Sequence, residues 1–207
     1  MNSTHKQIDE VLLNVRKAYR LLHDYQRMVL DAVGYIGSQL DISYNGGWSR
    51  FAGDARSGYA KLYQSSWDWL PMVFYEFHFV KCLGANDFLS LSFLIISDTG
   101  FIEGDDATND KGNISAFAPV EKSSTKFAFI IRRTHWDRLE FMEDKVKMRD
   151  FIKEGGSLPD DRVTAGFVGK CYDLSCLASE DQANRVADDI VALAKANALP
   201  LERVKKL

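Results

Sequence analysis

From His5 to about Leu40, apolar residues recur at Ile8, Val11, Leu12, Val15, Tyr19, Leu22, Met28, Val29, Ala32 and Ile36, mostly in steps of three and four. That spacing predicts one long amphipathic helix, because residues three and four apart stack on one side of a 3.6-residue turn. Lys6, Asp9, Arg16, Arg20, Asp24, Arg27 and Asp31 fall between them and suit a solvent-facing side. Gly34 and Gly37 loosen the last turns, and SYNGGW at 43–48 supplies the stop.

Further along, the period changes to two. Residues 71–80 set Val73, Tyr75, Phe77 and Phe79 against Met72, Phe74, Glu76 and His78. Residues 88–97 set Leu89, Leu91, Phe93 and Ile95 against Ser90 and Ser92, and 126–133 set Phe127, Phe129 and Ile131 against Lys126, Ala128, Ile130 and Arg132. Each alternation predicts a strand with two unlike faces, and LGAND at 83–87 fits a hairpin between the first two. The preceding stretch, 45–66, has four glycines and no sustained period, so it reads as a structured surface loop or a short irregular pair of strands.

Between the second and third strands lies a long polar segment at about 98–124. From Asp98 to Glu121 it holds six acids against the single Lys111, a net of −5, which predicts a solvated acidic insertion on the surface. His135–Glu154 reads as a helix ended by Gly155 and Gly156, and 163–177 as a fourth strand. A helix follows from about Ser179 to Ala198, where Ser179 and Gln182 form a capping-box pair and Val186, Ile190 and Leu193 carry the buried stripe.

The predicted fold class is therefore α+β: a mainly antiparallel sheet of about four or five strands packed against a long N-terminal helix and C-terminal helices, with the helices on one face. No internal repeat or linker divides residues 1–207, so one domain is expected.

Composition narrows the function classes. Of 207 residues, 46% are hydrophobic and 27% charged, the usage of a globular chain with a generous 12% of aromatics. A net charge of −3 gives no overall field to attract polyanions, so nucleic acid is not an expected partner. No run approaches the ~20 apolar residues of a membrane span, and MNSTHKQIDE lacks the basic-then-apolar order of a secretion signal, so a cytoplasmic protein is expected. Cys82, Cys171 and Cys176 are an odd number and form no disulfide framework. They read as structural thiols.

The chemistry worth weighing centres on WDWLPMVFYEFHF, residues 67–79. Glu76 and His78 project from the same face of a strand roughly 7 Å apart along the chain, and a carboxylate beside an imidazole can act as base and acid. Arg132 joins them if the third predicted strand pairs nearby, either to hold an anion or to neutralise Glu76. Against this stands the plainer expectation of a solvated sheet face with a salt bridge, since antiparallel sheets commonly have one wet face. Trp67 and Trp69 suit stacking on a ligand or capping of the core. Trp48, Arg50 and Arg56, in GGWSRFAGDARSG, offer glycine-rich backbone and cations for an anion, without the Gly-Lys-Ser/Thr of a P-loop. DDATNDKGN, at 105–113, has oxygen ligands but no register with both glycine at the sixth and glutamate at the twelfth position of a calcium loop, and no metal or cofactor is expected.

Two readings follow. In the first the chain is a non-catalytic α+β module that binds a protein partner or small molecule and forms a homodimer, because its first helix carries more apolar stripe than one small sheet can cover. In the second it is an enzyme acting on a phosphate-bearing or nucleic-acid substrate through Glu76, His78 and Arg132, with Arg50 and Arg56 holding the anion.

Overall fold

The computed structural model describes residues 5–52, 69–104, 117–133, 145–154, 156–158 and 167–204. Chain order runs α1 (His5–Gln39), β1 (Ser43–Ala52), β2 (Trp69–Gly84), β3 (Asp87–Ile96), α2 (Gly100–Glu103), β4 (Lys126–Arg132), α3 (Lys145–Glu154), β5 (Gly156–Leu158), β6 (Phe167–Asp173) and α4 (Glu180–Ala196). Among the described residues the strands form one six-stranded sheet in the order β1-β2-β3-β4-β6-β5, and every neighbouring pair is antiparallel. The α+β class, the antiparallel sheet and the helices at both ends of the chain are as the residue pattern indicates. No helix among the described residues is long and apolar enough to cross a membrane.

β2 and β3 meet through the two-residue turn Ala85–Asn86, and Asn86 takes the left-handed conformation, φ 61°, that asparagine tolerates. The odd-numbered residues of the central strands, Phe77, Phe79, Leu91, Phe93, Phe127 and Phe129, face the last third of α1 and the length of α4. Val29, Val33 and Ile36 of α1, Leu40 just beyond its end, and Val186, Ala187, Ile190 and Ala194 of α4 close that core. Phe79 packs edge-on against Phe93 at 5.3 Å between ring centroids, and Phe93 stacks on Phe127 at 5.6 Å, geometries that favour aromatic pairs.

The other face carries a second core, so helices lie on both sides of the sheet and not on one as expected. Phe101 and Ile102 of α2 and Met148 and Phe151 of α3 cover Leu94, Ile96, Ala128 and Ile130. The reason is visible at the ends of the acidic segment. Thr99 N donates to the Ser124 carbonyl at 3.0 Å, Ser124 N donates to Thr99 Oγ1 at 2.9 Å, and Ala118 N donates to the Gly100 carbonyl at 3.0 Å. These bonds hold residues 98–102 against 118–124 and turn Phe101 and Ile102 into the sheet. Residues 105–116, with three of the six acids, lie outside the described residues.

Smaller departures have local causes. Residues 43–52 form a full strand, with register shifts between Tyr44 and Gly46 and between Arg50 and Ala52. Gly46 takes φ 138° at the first, a conformation that a side chain would strain. A short strand, β5, pairs with β6 just beyond the predicted end of the preceding helix. α1 continues through Gly34 and Gly37, with Asp41 at φ 49° beyond its end. Met28 stays exposed at the side of that helix, and the buried stripe passes through Val29. The N-terminus of α4 is capped as read: Gln182 N donates to Ser179 Oγ at 3.3 Å. Beyond α4 the chain returns to α1, where Val204 N donates to the Gln39 carbonyl at 2.8 Å and Arg203 donates to Gln39 Oε1 at 2.9 Å.

Candidate functional site

Strand register decides which polar residues meet. Trp48 of β1 lies opposite Glu76 of β2, His78 lies opposite Ser92 of β3, and Ser90 lies opposite Arg132 of β4. Side chains at even positions of these strands share a face, so Glu76, His78, Ser90, Ser92 and Arg132 form one polar patch beside Leu94 and Ile130. The expectation that β4 would bring Arg132 to the Glu76 face is met, with β3 standing between them. The expectation of a wet face is not: Glu76 is 0% exposed, His78 2%, Ser92 2% and Arg132 4%. Alternation marks a polar face without saying whether that face is covered.

His78 Nδ1 lies 3.3 Å from Glu76 Oε1 and 3.3 Å from Ser92 Oγ. The ring lies close enough for a polar contact with both oxygens, and which nitrogen carries its proton depends on the tautomer. Burial, and after it the positive charge of Arg132, pushes the His78 pKa down to about 3, so the ring is neutral at physiological pH. A neutral imidazole between a carboxylate and a hydroxyl can take up or relay a proton. Here the low exposure makes it first an internal polar brace.

The other predicted positions fall apart from one another. Trp48 is half-buried and packs against the second core. Arg50 occupies the β1 position opposite Phe74, and Trp69 opens β2 opposite Ala52; only their backbone belongs to the description. Arg56 and Trp67 lie outside the described residues. Ser92 was legible as a strand residue but not as a partner of His78, since only the β2–β3 register brings them together. Cys171 and Cys176 stay protonated: burial raises Cys171 to about 11 and Cys176 to about 12, which removes these two as nucleophiles at neutral pH.

A second candidate lies on α1. Ile8, Leu12, Val15, Tyr19, Leu22, Val29, Val33, Ile36 and Leu40 keep a strict alternation of three- and four-residue steps, interrupted only by polar Gln26. From Val29 onward this stripe is buried in the core. Residues 7–21 are exposed on every side, although the stripe continues through them, with Ile8 45%, Leu12 47%, Val15 42% and Tyr19 63% exposed. At ~1.5 Å per residue this is roughly 20 Å of amphipathic helix with its apolar stripe open to solvent. Val11, Leu13 and Leu21 add to the exposed apolar area.

A family model described as PM0109 matches residues 5–200. No curated protein and no solved structure matches the chain.

Proposed function

We propose that this chain, which belongs to the PM0109 family, is a non-catalytic protein-interaction module that contacts its partner through the N-terminal half of α1 and self-associates there. The observation that carries the reading is the apolar stripe, broken only at Gln26, that is buried from Val29 to Leu40 and exposed from Ile8 to Tyr19. A helix gains most of its stability from packing an apolar face, and soluble monomers rarely leave such a contiguous face uncovered. The polar side, with Asp9, Arg16, Lys17 and Arg20, is built for water, so the helix suits an interface and not a core of its own. Light scattering over about 1–200 μM tests this: the mean mass should climb from one chain toward two, and Val15→Asp should hold it at one. A wild-type mass that stays at one chain throughout removes self-association.

The enzymatic alternative, acting on a phosphate-bearing or nucleic-acid substrate through Glu76, His78 and Arg132, draws on the 3.3 Å contact of His78 with Glu76. It requires a reagent to reach His78. Diethyl pyrocarbonate should modify exposed His23 in the native protein and spare His78, whereas prompt modification of His78 would favour the enzyme.

A further inference from the structure

The spacing of charges along the exposed half of α1 specifies how two copies pair. Resting on the self-association reading above, we infer that the occupant of this stripe is the same segment of a second copy, running antiparallel, with Asp9 of each chain beside Arg16 of the other. In the three-four repeat Leu12 and Tyr19 take one kind of core position, and Ile8 and Val15 the other. An antiparallel pair crosses the two kinds, which gives four layers: Ile8 against the partner's Tyr19, Leu12 against the partner's Val15, and the two symmetry mates. The twofold axis then lies between Leu12 and Val15, and the same patch serves both chains, as a closed dimer requires.

The flanks decide orientation. On one edge of the stripe the positions just after Ile8 and Val15 are Asp9 and Arg16, both exposed. With the layers above, Asp9 stands between the Ile8 and Leu12 layers, and the partner's Arg16 stands between the same two layers. Opposite charges therefore meet twice across the axis. The other edge carries Val11 and Ala18, which meet each other in the same way and widen the dry seam without clashing. A parallel in-register pair would set Val11 against Arg16 and Ala18 against His23, and gain no charge pairing. The overlap also suits the fold: residue 22 of one copy lies opposite residue 5 of the other, so the parts of α1 packed on each sheet stay outside the seam.

Charge reversal and cross-linking test the register. Asp9→Arg or Arg16→Asp alone puts like charges in both flanking pairs and should weaken the dimer about tenfold, while D9R/R16D together should return it to within about threefold of wild type. On a Cys82→Ser background, Leu12→Cys chains mixed with Val15→Cys chains should form the mixed disulfide faster than Leu12→Cys chains cross-link among themselves. The far-UV spectrum and urea midpoint of each variant serve as the control for folding. Faster cross-linking of Leu12→Cys alone, or a double reversal as weak as the single ones, overturns the antiparallel register while leaving self-association standing. A wild-type protein that is monomeric throughout overturns both.

Discussion

His78 Nδ1 stands 3.3 Å from the carboxylate of Glu76, two residues away on β2, and both side chains are sealed from solvent. Taking a carboxylate out of water costs several kcal/mol unless charge and hydrogen bonds offset it. The neutral ring of His78 supplies a polar neighbour. Arg132, two strands away on the same face, supplies positive charge to the patch, and its effect is felt at His78 as a lowered pKa. The patch is a balanced polar layer inside an apolar face, and this balance makes its members sensitive to deletion.

Removing the Glu76 side chain outright should therefore cost more than exchanging its carboxyl for an amide. Glu76→Ala leaves the buried ring of His78 and the positive charge of Arg132 without that carboxyl and empties its volume, and should destabilise the fold by about 3–5 kcal/mol. Glu76→Gln keeps the volume and a polar group beside the ring and should cost about 1–2 kcal/mol. Urea unfolding of the two variants checks the order. Equal losses would mean that the loss of the carboxyl itself, common to both variants, and not the emptied volume, sets the cost.

The depressed pKa of His78 has a defined signature in acid. Its folded value, about 3, lies below the ordinary 6.5, so between those pH values the unfolded chain holds a proton that the folded chain does not. Stability from this group is complete above pH 6.5 and is lost as pH falls toward 3, by up to about 1.4 kcal/mol per unit. Exposed His23 contributes no such buried contact. His78→Gln should flatten the fall in unfolding free energy between pH 6.5 and 4 relative to wild type. Parallel curves for the two proteins would show that His78 titrates normally in the fold.

Much of this architecture was legible because the apolar pattern repeats. Period-two runs located β2, β3 and β4, and the three-four repeat located α1. Four features were not legible, each for a physical reason. β1 has glycines and register shifts in place of alternation, and its identity comes from the ladder to β2. β5 has three residues, too few for any period to show. The burial of Glu76 and His78 depends on what covers the face, and the neighbourly relation of His78 to Ser92 depends on register. Neither is written in the β2 sequence. The exposed half of α1 is the reverse case: its stripe was visible, and only the fold shows where the sheet stops covering it.

Two glycines of α1 should respond oppositely to alanine. A Cβ on Gly34 would meet nothing within 4 Å, so Gly34→Ala should stabilise the protein by roughly 1 kcal/mol through helix propensity alone. A Cβ on Gly37 would lie 2.5 Å from Phe79 Cε1, so Gly37→Ala must push the helix from β2 or turn the ring, and should cost about 1–3 kcal/mol. Thermal or urea midpoints read the sign directly. A stabilising Gly37→Ala would show that α1 sits farther from the sheet than its packing on Phe79 requires.

The two halves of α1 should also differ in how they protect their amides. A helix of about fifteen residues is marginal in water unless its apolar face is packed. Val29 to Leu40 draw their protection from the sheet core within the same chain, so their exchange should be independent of concentration. Leu12 to Tyr19 have no such cover, and their protection should rise as the protein is concentrated and the seam between copies fills. Hydrogen exchange read by mass spectrometry at two concentrations about fiftyfold apart separates the cases. Val15→Asp should abolish the rise and leave residues 29–40 unchanged. Protection of residues 12–19 that is high and constant at both concentrations would mean that the helix holds itself together without a partner.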